Sequence, residues 1–183
     1  MSLIEVNENS YVDVEFANEY FSTSLTAEKW EDADEETKEK ALIQATQRID
    51  MQKFAGFTVS RYFEVMDSYN QPFLQSQLKD IEDQNLAFPR VFEYRGRDLY
   101  QKEVPQEVKE ATCEEALALL KHLDNPNKRD ERIKQGLTRY RVGDAEEQYS
   151  EDLAKRKQGK VQLLSDMAIQ LLSKYLRGSV KML

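Results

Sequence analysis

The chain has 183 residues, 40% of them hydrophobic and 33% charged, enough for one domain that buries about two-thirds of the surface its unfolded form exposes. No apolar run approaches the roughly 20 residues of a membrane span, the N-terminal MSLIEVNENS has neither the basic nor the apolar region of a secretory signal, and the single Cys113 excludes an internal disulfide, so cytoplasmic synthesis is expected. The net charge of −8 argues against a general nucleic-acid binder, which needs Lys and Arg to displace counterions from phosphates.

That charge is unevenly spread. Residues 1–36 carry Glu5, Glu8, Asp13, Glu15, Glu19, Glu28, Glu31, Asp32, Asp34, Glu35 and Glu36 against Lys29 alone. Residues 153–183 carry Lys155, Arg156, Lys157, Lys160, Lys174, Arg177 and Lys181 against Asp166 alone. Such polarity either orients a part that docks between different neighbours or reflects two solvated faces.

In chain order, Asp13 is placed to cap a short helix through Val14, Ala17, Tyr20 and Phe21. A second helix is expected to start at Asp32, whose spacing to Glu35 is that of a capping box, with Leu42, Ala45, Thr46 and Ile49 as its apolar stripe and Gly56 beyond its end. From Phe54 to Gln84 the pattern weakens to an irregular stretch holding one short helix on Leu74, Leu78 and Ile81. Phe88-Pro89-Arg90 must be extended or turning, and Tyr94 to Gly96 reads as a turn. Pro105 opens a third helix along Val108, Thr112, Ala116, Leu120 and Leu123. Alternation around Tyr140 and Val142, followed by Gly143-Asp144, predicts a hairpin within residues 137–149. A long last helix is expected from about Ser150 to Arg177, interrupted or loosened near Gly159 and stopped by Gly178.

The search for chemistry returns mainly negatives. His122, the only histidine, suits a helix end, where the dipole favours it. Cys113 lies beside an apolar stripe as a small core residue. Asp80, Glu82 and Asp83 do not converge on one ion at that spacing, and Asp34, Glu35 and Glu36 serve a helix start. Lys155-Arg156-Lys157 with Lys160 either touches phosphates or forms a solvated face without interleaved aromatics. No enzyme activity, metal or cofactor is expected.

Four segments resemble a known family: N-S-Y-V (Asn9 to Val12) before a helix ending in Tyr20-Phe21, K-x-x-A-L-I-x-A-T-x-x-I-D (Lys38 to Asp50), Q-x-L-A-F-P-R (Gln84 to Arg90) and V-P-x-x-V-K-x-A-T-C-E-x-A (Val104 to Ala116). In this order they resemble the head-to-tail connector adaptors of long-tailed bacteriophages, a group also catalogued as DnaT-like single-stranded-DNA-binding proteins. The resemblance implies a structural virion protein of the neck, docked on the phage portal protein as a dodecameric, homo-oligomeric ring, receiving the next head-completion or tail protein and letting DNA pass without specific binding. The runner-up is a single-stranded-DNA-binding replication accessory.

The fold expected is mainly α: a small helical bundle with a hairpin and a long C-terminal helix. Residues 1–150 would form the adaptor domain, with an insertion at 58–83, and residues 151–183 the C-terminal helix and docking tail. The expected core is Leu42, Ala45, Ile49, Phe88, Pro89, Val108, Thr112 and Ala116. Leu164, Leu171, Leu172, Tyr175, Arg177 and Lys181 are the candidate portal interface, because the last helix is apolar over a wide arc; the competing reading is that this helix completes the bundle core.

Overall fold

Two long helices, α3 (Glu35–Asp50) and α5 (Gln106–Asp124), form the spine of the molecule and pack along each other. The computed structural model describes residues 2–66, 84–94, 97–124, 139–142, 145–148 and 163–177. The spine is close-set because small residues line it: Ala41, Ala45, Ala111 and Ala116 are all buried, with Leu42 and Leu117 filling the space between. All eight residues expected in the core are buried. The architecture is mainly helical with small antiparallel sheets, the class expected.

Against the spine pack α1 (Val14–Phe21), which touches both long helices, and α2 (Glu28–Glu31), which touches α5. The Asp13 carboxylate accepts from the Phe16 amide at 2.8 Å and so starts α1 as predicted. Helix α2 was not predicted. It seats Trp30, which is 1% exposed, donates its indole N–H to Asn18 Oδ1 at 2.9 Å and lies 5.2 Å from the Phe21 ring. Its presence corrects the expected start of the next helix: Asp32 closes α2, its amide bonding to Glu28 O, and Asp34 caps α3 instead, accepting from the Thr37 amide at 2.7 Å.

Past α3 the chain is more ordered than its pattern suggests. Gly56 adopts φ +69°, a left-handed conformation that glycine takes without steric cost. A Cβ there would lie 2.1 Å from the Val91 carbonyl oxygen. This turn feeds β1 (Phe57–Thr58), then α4 (Val59–Met66). With β2 (Arg90–Tyr94) and β3 (Arg97–Tyr100), β1 makes an antiparallel sheet in the order β1-β2-β3, with Phe57 opposite Val91 and Val91 opposite Tyr100. Tyr94 ends β2 opposite Arg97 of β3, and the rest of the turn expected at Tyr94 to Gly96 lies outside the described residues. The helix expected on Leu74, Leu78 and Ile81, and most of the insertion expected at 58–83, lie outside the described residues.

The predicted hairpin is present as β4 (Arg139–Val142) paired antiparallel with β5 (Ala145–Gln148), Val142 opposite Ala145. Of the long last helix expected from about Ser150, the part before Leu163 lies outside the described residues. Leu163 to Ser165 is not helical; Ser165, at ψ 120°, caps α6 (Asp166–Leu172) by accepting from the Ala168 amide at 3.2 Å. A 3-10 turn (Ser173–Tyr175) follows, and Leu176 then pairs antiparallel with Phe54.

Candidate nucleic-acid interface

Three of the four sequence segments that carry the family resemblance converge in one interior network. The Tyr11 amide donates to Thr46 Oγ1 at 3.3 Å and its hydroxyl donates to Asp50, while the Ala87 amide donates to the other Asp50 oxygen at 3.2 Å. Burial raises the Asp50 pKa above its usual value despite these donors and nearby Arg90. Gln84 accepts from the Val59 amide and donates to the Leu86 and Pro89 carbonyls. After the cis Phe88-Pro89 bond, the Phe88 ring makes edge contacts with Tyr11, Phe54 and Tyr175.

Arg90 is the keystone of this network. It is 8% exposed, and its guanidinium donates to three carbonyls: Ala55 at 2.8 Å, Gly56 at 2.8 Å and Ala87 at 3.0 Å. The planar fork suits this task, since one group reaches several acceptors in fixed directions. Its face also lies over Phe54 and Phe88, 5.7 and 5.8 Å from their centroids. The loop at 55–56 is thereby held from beneath, and what it carries is held with it.

That loop forms an edge with the C-terminal segment. The Ala55 amide donates to Tyr175 O and the Arg177 amide to Lys53 O, both at 2.8 Å, so Lys53 and Arg177 stand opposite each other across the Phe54–Leu176 bridge. Both side chains are exposed, and neither makes an ion pair among the described residues. Phe57, 52% exposed, follows directly after Gly56. Lys174 is engaged by Glu107, which holds the lysine above and the glutamate below their usual pKa ranges, and the Tyr175 hydroxyl also donates to Glu107, at 3.1 Å. The acidic cluster at Asp34 to Glu36 sits at the far end of α3, about 24 Å away for a helix of this length.

The C-terminal segment is fastened to the spine by a buried carboxylate. Glu115 is fully buried and accepts from Arg48 Nε at 2.6 Å, the Leu164 amide at 2.8 Å and the Ser165 amide at 3.0 Å. Glu115 and Lys53 carry no signal in the sequence and Arg90 none beyond its motif, because each looks like an ordinary polar residue until its distant partners are known.

Of the six candidate interface residues, Leu172 and Tyr175 are buried in the core, Leu164 and Leu171 are half-buried, and Arg177 is exposed at the edge described above. Lys181 lies outside the described residues, as do Lys155 to Lys160 and Asp80 to Asp83. Leu172 and Tyr175 thus pack against the chain's own bundle, and α6 exposes Met167 and Ile169 instead. Cys113 is buried, and burial pushes its thiol pKa far up. His122 is half-buried in the last turn of α5. Among the described residues no group of three or more His, Cys, Asp or Glu is placed to hold a metal ion.

The described residues thus form a mainly helical domain with a small sheet and an exposed edge that carries Lys53 and Arg177. The chain belongs to the family described as "Putative DnaT-like ssDNA binding protein", whose family model matches residues 3–182. No curated protein and no solved structure matches it.

That match corrects the first reading of function. The family's description names single-stranded DNA binding and no virion role, so the head-to-tail connector role, with the portal protein, the ring of adaptor subunits and the tail protein as partners, gives way to the runner-up. The expectation that DNA passes without being bound is corrected with it. Its physical basis, the net charge of −8, is a property of the whole chain, whereas binding responds to the local field.

Proposed function

We propose that the chain binds single-stranded DNA, as a replication accessory of the DnaT-like kind, and that it works by binding and not by catalysis. The observation that carries this reading is the family match over nearly the whole chain, residues 3–182. The exposed Lys53 and Arg177, opposite each other across the Phe54–Leu176 bridge, support it, since strands are held in part by cations along the phosphates.

The test is fluorescence anisotropy of a labelled oligothymidylate titrated with the full chain at two salt concentrations, about 50 and 200 mM. Affinity should fall as salt rises, and unlabelled single strand should compete better than duplex of equal length. Absence of binding at the lower salt, with protein in the tens of micromolar, about the range of weak non-specific association, refutes the reading.

A further inference from the structure

Two basic residues meet at the seam between the end of α3 and the C-terminal segment. Lys53 and Arg177 face each other across the Phe54–Leu176 bridge, where the Arg177 amide donates to Lys53 O at 2.8 Å. Residues paired in this way on antiparallel chains stand about 5.5 Å apart at Cα, and like charges directly opposite each other destabilise the pairing. Phe54 is buried and Leu176 packs half-buried on the core, whereas Lys53 and Arg177 are exposed. Nearby cations are answered: Lys174 pairs with Glu107 and Arg48 with Glu115. Lys53 and Arg177 take no carboxylate among the described residues.

The two residues belong to different segments. Lys53 follows α3 and leads into the Ala55 and Gly56 carbonyls that Arg90 grips. Arg177 ends a segment that reaches the spine through Glu115, which accepts from the Leu164 and Ser165 amides, and through the buried Leu172 and Tyr175. The cation pair therefore exists only while the C-terminal segment is docked. A ligand that engages both cations at once binds the docked form in preference.

We infer that Lys53 and Arg177 form a seat for a phosphate-type oxyanion, and that filling this seat clamps the C-terminal segment onto the body of the protein. Arg177 offers a planar fork of N–H donors and Lys53 a compact charge, so an anion between them converts a repulsive pair into charge-assisted contacts. The tightening of the segment by the anion and the anion's preference for the docked form are one coupling free energy seen from two sides. The recognised chemistry is a single phosphate group, free or carried in a nucleic-acid backbone, and it does not depend on the single-strand reading above.

Hydrogen exchange of the Ala55 and Arg177 amides, whose bonds close the seam, reads docking directly in the full chain. Inorganic phosphate is titrated to about 20 mM, the millimolar range suited to so small a ligand, against chloride at equal ionic strength, which removes the effect of screening. Exchange should slow by about tenfold when phosphate reaches ten times its dissociation constant. Lys53→Ala should leave two marks. Without phosphate it should slow exchange of both amides on the order of 1.5- to 5-fold, because the repulsion is gone, and phosphate should then slow them no further. Lys121→Ala, which removes an exposed lysine on α5, should respond to phosphate as the parent chain does.

No response of the parent chain to phosphate beyond that to chloride overturns the inference, as does an equal response from Lys53→Ala. If oligothymidylate binds while phosphate leaves these amides unchanged, the single-strand reading stands alone. Where phosphate acts, oligothymidylate identifies the source: slowing at strand concentrations far below those of free phosphate assigns the seat to a nucleic-acid backbone, and slowing by phosphate without binding of oligothymidylate upholds the seat for a free anion and removes the single-strand reading.

Discussion

Replacing Glu115 with alanine should loosen the C-terminal segment from the spine. The carboxylate takes three kinds of donor in a fully buried position: Arg48 Nε, the Leu164 amide and the Ser165 amide. Removing one partner of a buried ion pair costs about 3–5 kcal/mol, and a buried amide without an acceptor about 1–3 kcal/mol. These do not simply add. The Arg48 side chain is 23% exposed and Leu164 is half-buried, so water can reach two of the three donors. A net loss of about 3–4 kcal/mol follows, a large part of the roughly 5–15 kcal/mol that holds a domain of this kind together. Glu115→Gln should lose less, because its carbonyl oxygen still serves the amides while its amino group faces the Arg48 donor. Urea unfolding gives the magnitude, and hydrogen exchange at Leu164 and Ser165 shows whether the loss is centred there. A Glu115→Ala variant within about 1 kcal/mol of the parent chain, with both amides still protected, would refute this account of the pin.

Gly56→Ala should destabilise by at least about 2 kcal/mol, since the left-handed backbone alone costs about 1–2 kcal/mol and the new Cβ meets the Val91 carbonyl; calorimetry should show Tm falling on the order of 4–8 °C. Asp34→Ala should destabilise at neutral pH by removing the α3 cap. The Thr37 amide holds the Asp34 pKa below its ordinary 3.8, so the folded state binds the proton less readily; the cap's contribution is present above that value and is lost as pH falls through the folded pKa. The deficit of the variant, followed by thermal unfolding, should therefore vanish in acid; a constant deficit would rule out the carboxylate as its source. Elemental analysis of the purified chain should find no stoichiometric transition metal, since one histidine and one cysteine supply no closed ligand set.

The parts of the fold visible in the sequence are those decided locally. Asp13 with its apolar stripe marks α1, Pro105 and the Val108-Thr112-Ala116 row mark α5, and alternation at Tyr140 and Val142 marks the β4–β5 hairpin. The sheet of β1, β2 and β3 escaped notice because it pairs Phe57 with Val91, and no local pattern encodes a pairing between segments so far apart. Helix α2 escaped for a different reason: four residues are too few for a stripe, and its identity rests on Trp30 finding Asn18 and Phe21. At the candidate interface the difficulty is greater still. Lys53 follows the end of α3 and Arg177 follows α6, and only the Phe54–Leu176 bridge makes them neighbours. Arg90 was legible as part of a motif, yet its role depends on backbone carbonyls, which every residue has and no sequence pattern distinguishes.

Trp30 is the chain's only tryptophan, and its packing between α1, α2 and α5 makes it a local optical gauge. Its emission reports on the end of the spine where the indole N–H meets Asn18 and the Lys38 ammonium lies 5.5 Å from the ring centroid. The edge bearing Lys53 and Arg177 is at the other end of α3, too remote for a bound strand to alter that emission by contact. Intrinsic fluorescence and helical ellipticity therefore sample different parts of the molecule. Superimposable melting curves would mean that the surroundings of Trp30 unfold together with the helices as a whole, whereas a loss of ellipticity before any change in emission would show helix melting elsewhere than around the indole.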